Sequence, residues 1–171
     1  MKKIALLCFL ASVLFSTAQE KASITEIIDD LTVKWDERAI TLRTYQDIHN
    51  FCGAEALRAN TVYLLDQIHH WDTTLYFIVR NKYADKKDKE AEATLRDIET
   101  LETDYTTESF KHFIQDECAT LKVIEDHFDE ETVRAYEKEI IKFEKELVKY
   151  VVSITSRIDI VDEHIHHLKL D

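Results

Sequence analysis

The chain has one glycine and no proline in 171 residues. Turns, bulges and hairpins draw on both residue types, so this scarcity argues against a β-rich fold and predicts long helices joined by short polar corners. The single glycine also excludes a glycine-rich phosphate loop, and Ser23, Ser109, Ser153 and Ser156 sit in no nucleophile elbow. Cysteine is scarce too, at three residues with no C-x-x-C pair, which removes thioredoxin-like exchange and C-x-x-C-H haem attachment.

Hydrophobic runs are missing except at the start. Lys2 and Lys3 precede an apolar stretch, Ile4 to Phe15, and a small-residue zone at Ser16, Thr17 and Ala18. This is the pattern of a bacterial-type signal peptide over residues 1–18, with Gln19 or a neighbour as the mature N-terminus. The apolar stretch is shorter than the roughly 20 residues a membrane helix needs, so no span is expected after cleavage. Leu7, just before Cys8, is bulkier than lipoprotein processing favours. The sequence therefore predicts an exported protein, periplasmic or extracellular, with residues 19–171 forming one helical-bundle domain.

What the chain has in abundance is acid. Thirty-four Asp and Glu face 22 Lys and Arg, and removing Lys2 and Lys3 takes the formal charge from -12 to -14. Such a balance repels nucleic acid and anionic lipid.

Helical periodicity then orders the chain into an all-α, antiparallel bundle of four to five helices with a long C-terminal helix. Ser23-Ile24-Thr25-Glu26 is a capping box, and the stripe Ile28, Leu31, Trp35, Leu42, Tyr45, Cys52 predicts one helix running to about Phe51 or Cys52. Gly53 would close it in a left-handed conformation. A second helix is expected over 54–83, a mostly solvated one over 88–101, and a fourth behind a Thr cap with the stripe Phe110, Ile114, Cys118, Leu121, Ile124. The last is expected from Glu130 to Leu168 behind Asp129, because Val133, Ile140, Leu147, Ile154, Val161 and Leu168 recur every seven residues. Its companion row drifts from Phe143 and Tyr150 to Val151, Ile158 and Ile165, which fits a straight bundle helix better than a supercoil. At the level of fold this is similar to ferritin-like and hemerythrin-like bundles, whose ligand patterns the chain does not reproduce, so no residue is carried over.

Eight histidines among the carboxylates are the candidates for chemistry, since imidazole and carboxylate together bind divalent transition metals. His69, His70 and Asp72 form the densest polar group on the second helix, and His112 and Glu117 of the fourth would approach them in an antiparallel bundle. His164 and His167 are three apart at the end of the last helix and would share an ion with His49 if that end lies beside the first corner. Glu163 and His166 make one Glu-x-x-His pair, and Asp66 and His69 an aspartate relative of it. Against each stands a plainer account: a register-fixing polar network for the first group, a solvated helix end favoured by the dipole for the second. Cys52 and Cys118 are left as either a disulfide or two separate buried thiols. The reading that results is a non-catalytic binding or structural component of the cell envelope, with a protein partner, and a metal-binding bundle with a redox or storage role as the alternative.

Overall fold

The computed structural model describes residues 22–104, 106–127, 129–168 and 170, and the expected signal peptide lies outside them. Among the described residues there are six helices and no strand. Helix α1 spans Ile24–Arg43, α2 Ile48–Gly53, α3 Glu55–Tyr83, α4 Lys89–Asp104, α5 Thr107–Glu125 and α6 Glu130–Leu168.

Side-chain caps set the starts. The Ser23 hydroxyl accepts from Glu26 N–H at 3.1 Å while the Glu26 carboxylate accepts from Ser23 N–H at 2.8 Å, completing the capping box read from the sequence. Asp88 accepts from the Glu90 and Ala91 amides, Thr106 from Ser109, and Asp129 from Thr132. The two bonds from Thr132 hold the Asp129 carboxyl below the ordinary carboxylate range.

The first predicted helix is in fact two. It breaks after Arg43, where Thr44 caps the last carbonyls through its hydroxyl, 2.7 Å from the Thr41 oxygen. It restarts behind Asp47, which accepts from His49 N–H at 2.8 Å and from the Tyr136 hydroxyl at 3.2 Å. Gly53 is not a left-handed cap either; it is the last residue of α2, its φ lies outside the positive range, and a Cβ there would meet nothing within 4 Å. Arg58 takes the capping role, donating from its guanidinium to the carbonyls of Phe51 and Cys52. Gly53→Ala is therefore expected to stabilise the protein by about 0.4–1 kcal/mol through the unfolded chain, read as a higher urea midpoint at unchanged slope.

Cross-helix partners give the topology. Trp35 meets Thr155 and Asp29 meets His166, so α1 runs antiparallel to α6. Glu90 pairs with His167, Asp97 with His164, Phe110 with Tyr150 and Glu117 with Lys142. Helices α4 and α5 thus form one column, also antiparallel to α6 and divided between Asp104 and Thr107. Helix α3 packs on α1, α4 and α5, diagonally across from α6, whose end it reaches by the Tyr83 hydroxyl on the Leu168 carbonyl at 3.0 Å. Four columns run up, down, up and down; the one made of α4 and α5 is divided, and that of α1 ends at Arg43, where α2 leaves it.

The core lies on the inner arc of each column. Leu147, Ile154, Val161 and Leu168 of the seven-residue row are buried, as are Phe143, Val151, Ile158 and Ile165 of the companion row. Helix α4 is less solvated than its composition suggests, because Ala91, Thr94 and Ile98 turn inward. In the first half of α6, Phe113 and Phe143 stack with centroids 6.0 Å apart and Phe51 closes on Phe143 at 5.0 Å. Beside them Cys52 and Cys118 are bonded, with Cα atoms 5.6 Å apart, so the break before α2 lets that short helix cross the bundle end and be tied to α5.

Candidate metal centre

Among the described residues, one group brings three metal-ligating side chains together. Asp29 of α1 and Asp162 and His166 of α6 place one ligand atom each within 4.8 Å of one another. Asp162 and His166 are four apart, one helical turn, and therefore project from the same face; Asp29 reaches them because α1 lies antiparallel along that face.

The histidine is oriented by its own helix. His166 Nδ1 is 2.9 Å from the Asp162 backbone carbonyl, an atom that can only accept, so the hydrogen sits on Nδ1 and a neutral ring offers Nε2 as its lone pair. A backbone oxygen on Nδ1 is the usual outer support of a metal-bound imidazole. His166 Nε2 lies 3.4 Å from Asp29 Oδ1. Ligands held at about 2.0–2.2 Å from a tetrahedral ion stand about 3.3–3.6 Å apart, so this pair is spaced as two corners of such a shell. The Asp162 Oδ1 atom is buried, makes no hydrogen bond, and sits 3.7 Å from His166 Nδ1.

Electrostatics along the α1–α6 seam favour a cation. Burial raises the Asp162 pKa; His166 opposes the rise, and the Asp29 and Asp159 carboxylates add to it. Asp159 is raised in the same direction by burial and by Asp36. The hydrogen bond to the Asp162 carbonyl, with the two nearby carboxylates, lifts His166 above the ordinary histidine value of 6.5. Two further pairs flank the site: His164 Nδ1 is 3.3 Å from Asp97 Oδ2, and His167 Nδ1 is 3.3 Å from Glu90 Oε1. All three histidines of the last turns of α6 thus face carboxylates of α1 or α4.

The sequence-predicted residues are distributed differently. His164 and His167 are at this end but cannot share an ion with His49, because α6 begins beside the first corner and ends at the other end of the bundle; His49 pairs instead with Glu125 at 2.9 Å. Glu163 is exposed and outside the cluster. On α3, His69 is half-buried, His70 is exposed with its ring edge-on to Trp71, and Asp72 is buried beside Thr32 and Ile158; these three do not join His112 or Glu117 in a close ligand group. His112 lies against Glu108 of its own helix, 3.6 Å away. Glu117 is buried and turns to α6, where Lys142 stands 3.6 Å from it; burial raises its pKa and Lys142 opposes the rise, with Glu139 adding to it.

Asp29 and Asp162 are the site residues that sequence reading missed. The signal for Asp162 was its spacing of four from His166; nothing local marks Asp29. No protein-family model matches the chain, and comparison with curated proteins and solved structures finds no match.

Proposed function

We propose that this is an exported binding protein of the cell envelope, a rigid bundle that holds a divalent transition-metal ion at one end and catalyses no reaction. The observation that carries the reading is the convergence of Asp29, Asp162 and His166 within 4.8 Å from two helices. One imidazole nitrogen and two carboxylate oxygens suit Zn²⁺, Cu²⁺ or Ni²⁺. Three protein ligands leave a position open for water or another ligand, so the site is not a closed structural one. Exposed ion pairs contribute at most about 1 kcal/mol, so stability alone is a weak reason for crowding these groups together. The leader-like N-terminus and the Cys52–Cys118 bond both support export, since disulfides persist outside the cytoplasm.

A structural or partner-binding role is the second reading, favoured by the exposed row Ile141, Val148 and Val152 on α6 beside Lys138, Lys145 and Lys149.

Thermal melts of untagged protein with and without Zn²⁺ test the metal reading. Wild type should melt higher with metal, as a stabilisation of about 2.7 kcal/mol at a hundredfold excess over Kd requires. Asp29→Asn and His166→Ala should lose the increment while His112→Ala keeps it. Asp162→Asn should lose it too, yet melt higher than wild type without metal, because the ionised Asp162 carboxylate is held in a site that disfavours its charge. A wild-type melting curve that Zn²⁺, Cu²⁺ and Ni²⁺ all leave in place would remove the proposal.

A further inference from the structure

Between α1 and α3 lies an open cleft of about 420 Å³, lined by Lys34 and Arg38 on one wall and by Asn60, Tyr63, Leu64 and Gln67 on the other. Its volume falls in the range of small-molecule sites, about 300–1,000 Å³. The cleft is also an exception to the charge of the chain. In a protein of net charge -12, its lining carries Lys34 and Arg38 beside one acid, Glu37, with Lys34 paired to Asp30 outside it.

Arg38 is the unusual member. Its side chain is half-buried and its Nε is buried with no hydrogen-bond partner, although a buried donor left unsatisfied costs about 1–3 kcal/mol and a charged one more. Lys34 is engaged by Asp30 at 2.6 Å, which leaves Arg38 as the cation facing the cleft. Across from it, Gln67 Nε2 donates to the Tyr63 hydroxyl at 3.3 Å, so the phenol keeps its own hydrogen for a further acceptor. Tyr63 is 63 % exposed and offers a flat aromatic face to the cleft.

We infer that this cleft binds small organic carboxylates that carry a flat apolar group, the carboxylate seated on the Arg38 guanidinium within reach of the Tyr63 hydroxyl and the apolar group lying along Tyr63 and Leu64. A guanidinium presents parallel N–H donors that match a carboxylate fork. The negative field of the whole protein disfavours multiply charged phosphates more than a single carboxylate. The cleft is separate from the metal centre, and this inference is independent of the reading given there.

Benzoate is a suitable probe. Titrated into the full-length mature protein at low ionic strength and followed by NMR, it should give saturable shifts in the amides of residues 34–41 and 60–67, the two walls of the cleft. Arg38→Lys keeps the charge but loses the fork, and should weaken binding by about tenfold or more. Tyr63→Ala removes an exposed ring, leaves the fold intact, and should weaken binding several-fold; His166→Ala should leave it unchanged. Shifts that do not saturate, equal affinity in Arg38→Lys, or inorganic phosphate binding as tightly as benzoate would each overturn the inference.

Discussion

Replacing Cys52 and Cys118 together by alanine is expected to lower the unfolding free energy by about 2–4 kcal/mol. The bond closes a loop with a sequence separation of 66, and a cross-link of that span removes a large share of the unfolded chain's freedom; the chain-entropy model puts the effect near 4 kcal/mol. Alanine is the right replacement because both cysteines pack against the core, where a serine hydroxyl would add an unrelated cost. Two readouts separate loss of the cross-link from simple core damage. The urea slope should rise, since the unfolded chain without the bond expands and exposes more surface, and reductant should carry wild type to the variant's curve while leaving the variant unmoved. Native-state hydrogen exchange should quicken in α2, a six-residue helix too short to persist alone. A variant with the wild-type midpoint in the absence of reductant would show that the bond does not form in the native protein.

The same region shows where sequence reading stops. The bounds of α6 were legible, because a seven-residue apolar row over 39 residues leaves little choice of helix or face, and α3 begins one residue from where it was expected. The break at Thr44 to Asp47 was not. A stripe that continues through Leu42, Tyr45 and Cys52 keeps helical spacing across a kink that contains no proline or glycine, and the lone glycine drew the predicted end to itself. The signals that decide the break are side-chain caps, Thr44 closing one helix and Asp47 opening the next, and Asp47 is further held by Tyr136, which is 89 residues away in the chain. Charge was the least readable layer. With 34 acidic residues, no single carboxylate stands out; Asp162 carries only its spacing of four from His166 as a signal, and Asp29 is marked only by the antiparallel α1–α6 pairing, which brings it to 3.4 Å from His166 across 137 residues of sequence. His164 and His167 face Asp97 and Glu90 rather than the first corner, because spacing along one helix says nothing about which end of another it meets.

Trp35→Ala should be the most damaging single substitution in the α1–α6 seam, at about 3–5 kcal/mol for loss of a buried large aromatic. The indole is fully buried and donates from Nε1 to the Thr155 hydroxyl at 2.9 Å, and that hydroxyl donates in turn to the Val151 carbonyl at 2.8 Å. Ring and relay can be separated. Thr155→Val preserves volume but strands the indole N–H, which should cost about 1–3 kcal/mol; in Trp35→Phe the donor is gone, so adding Thr155→Val should cost much less. That non-additivity, measured as a double-mutant cycle in urea, is the signature of the bond, and strictly additive costs would show that it contributes nothing. The seam also connects this contact to the proposed metal centre. Asp29 lies six residues before Trp35 on α1, about 9 Å along the helix axis, and it meets His166 only while α1 stays seated on α6. Trp35→Ala should therefore weaken Zn²⁺ binding although Trp35 supplies no ligand. The disulfide variant, altered at the level of Phe143 on α6 and roughly 30 Å from the centre along that helix, should bind as wild type does.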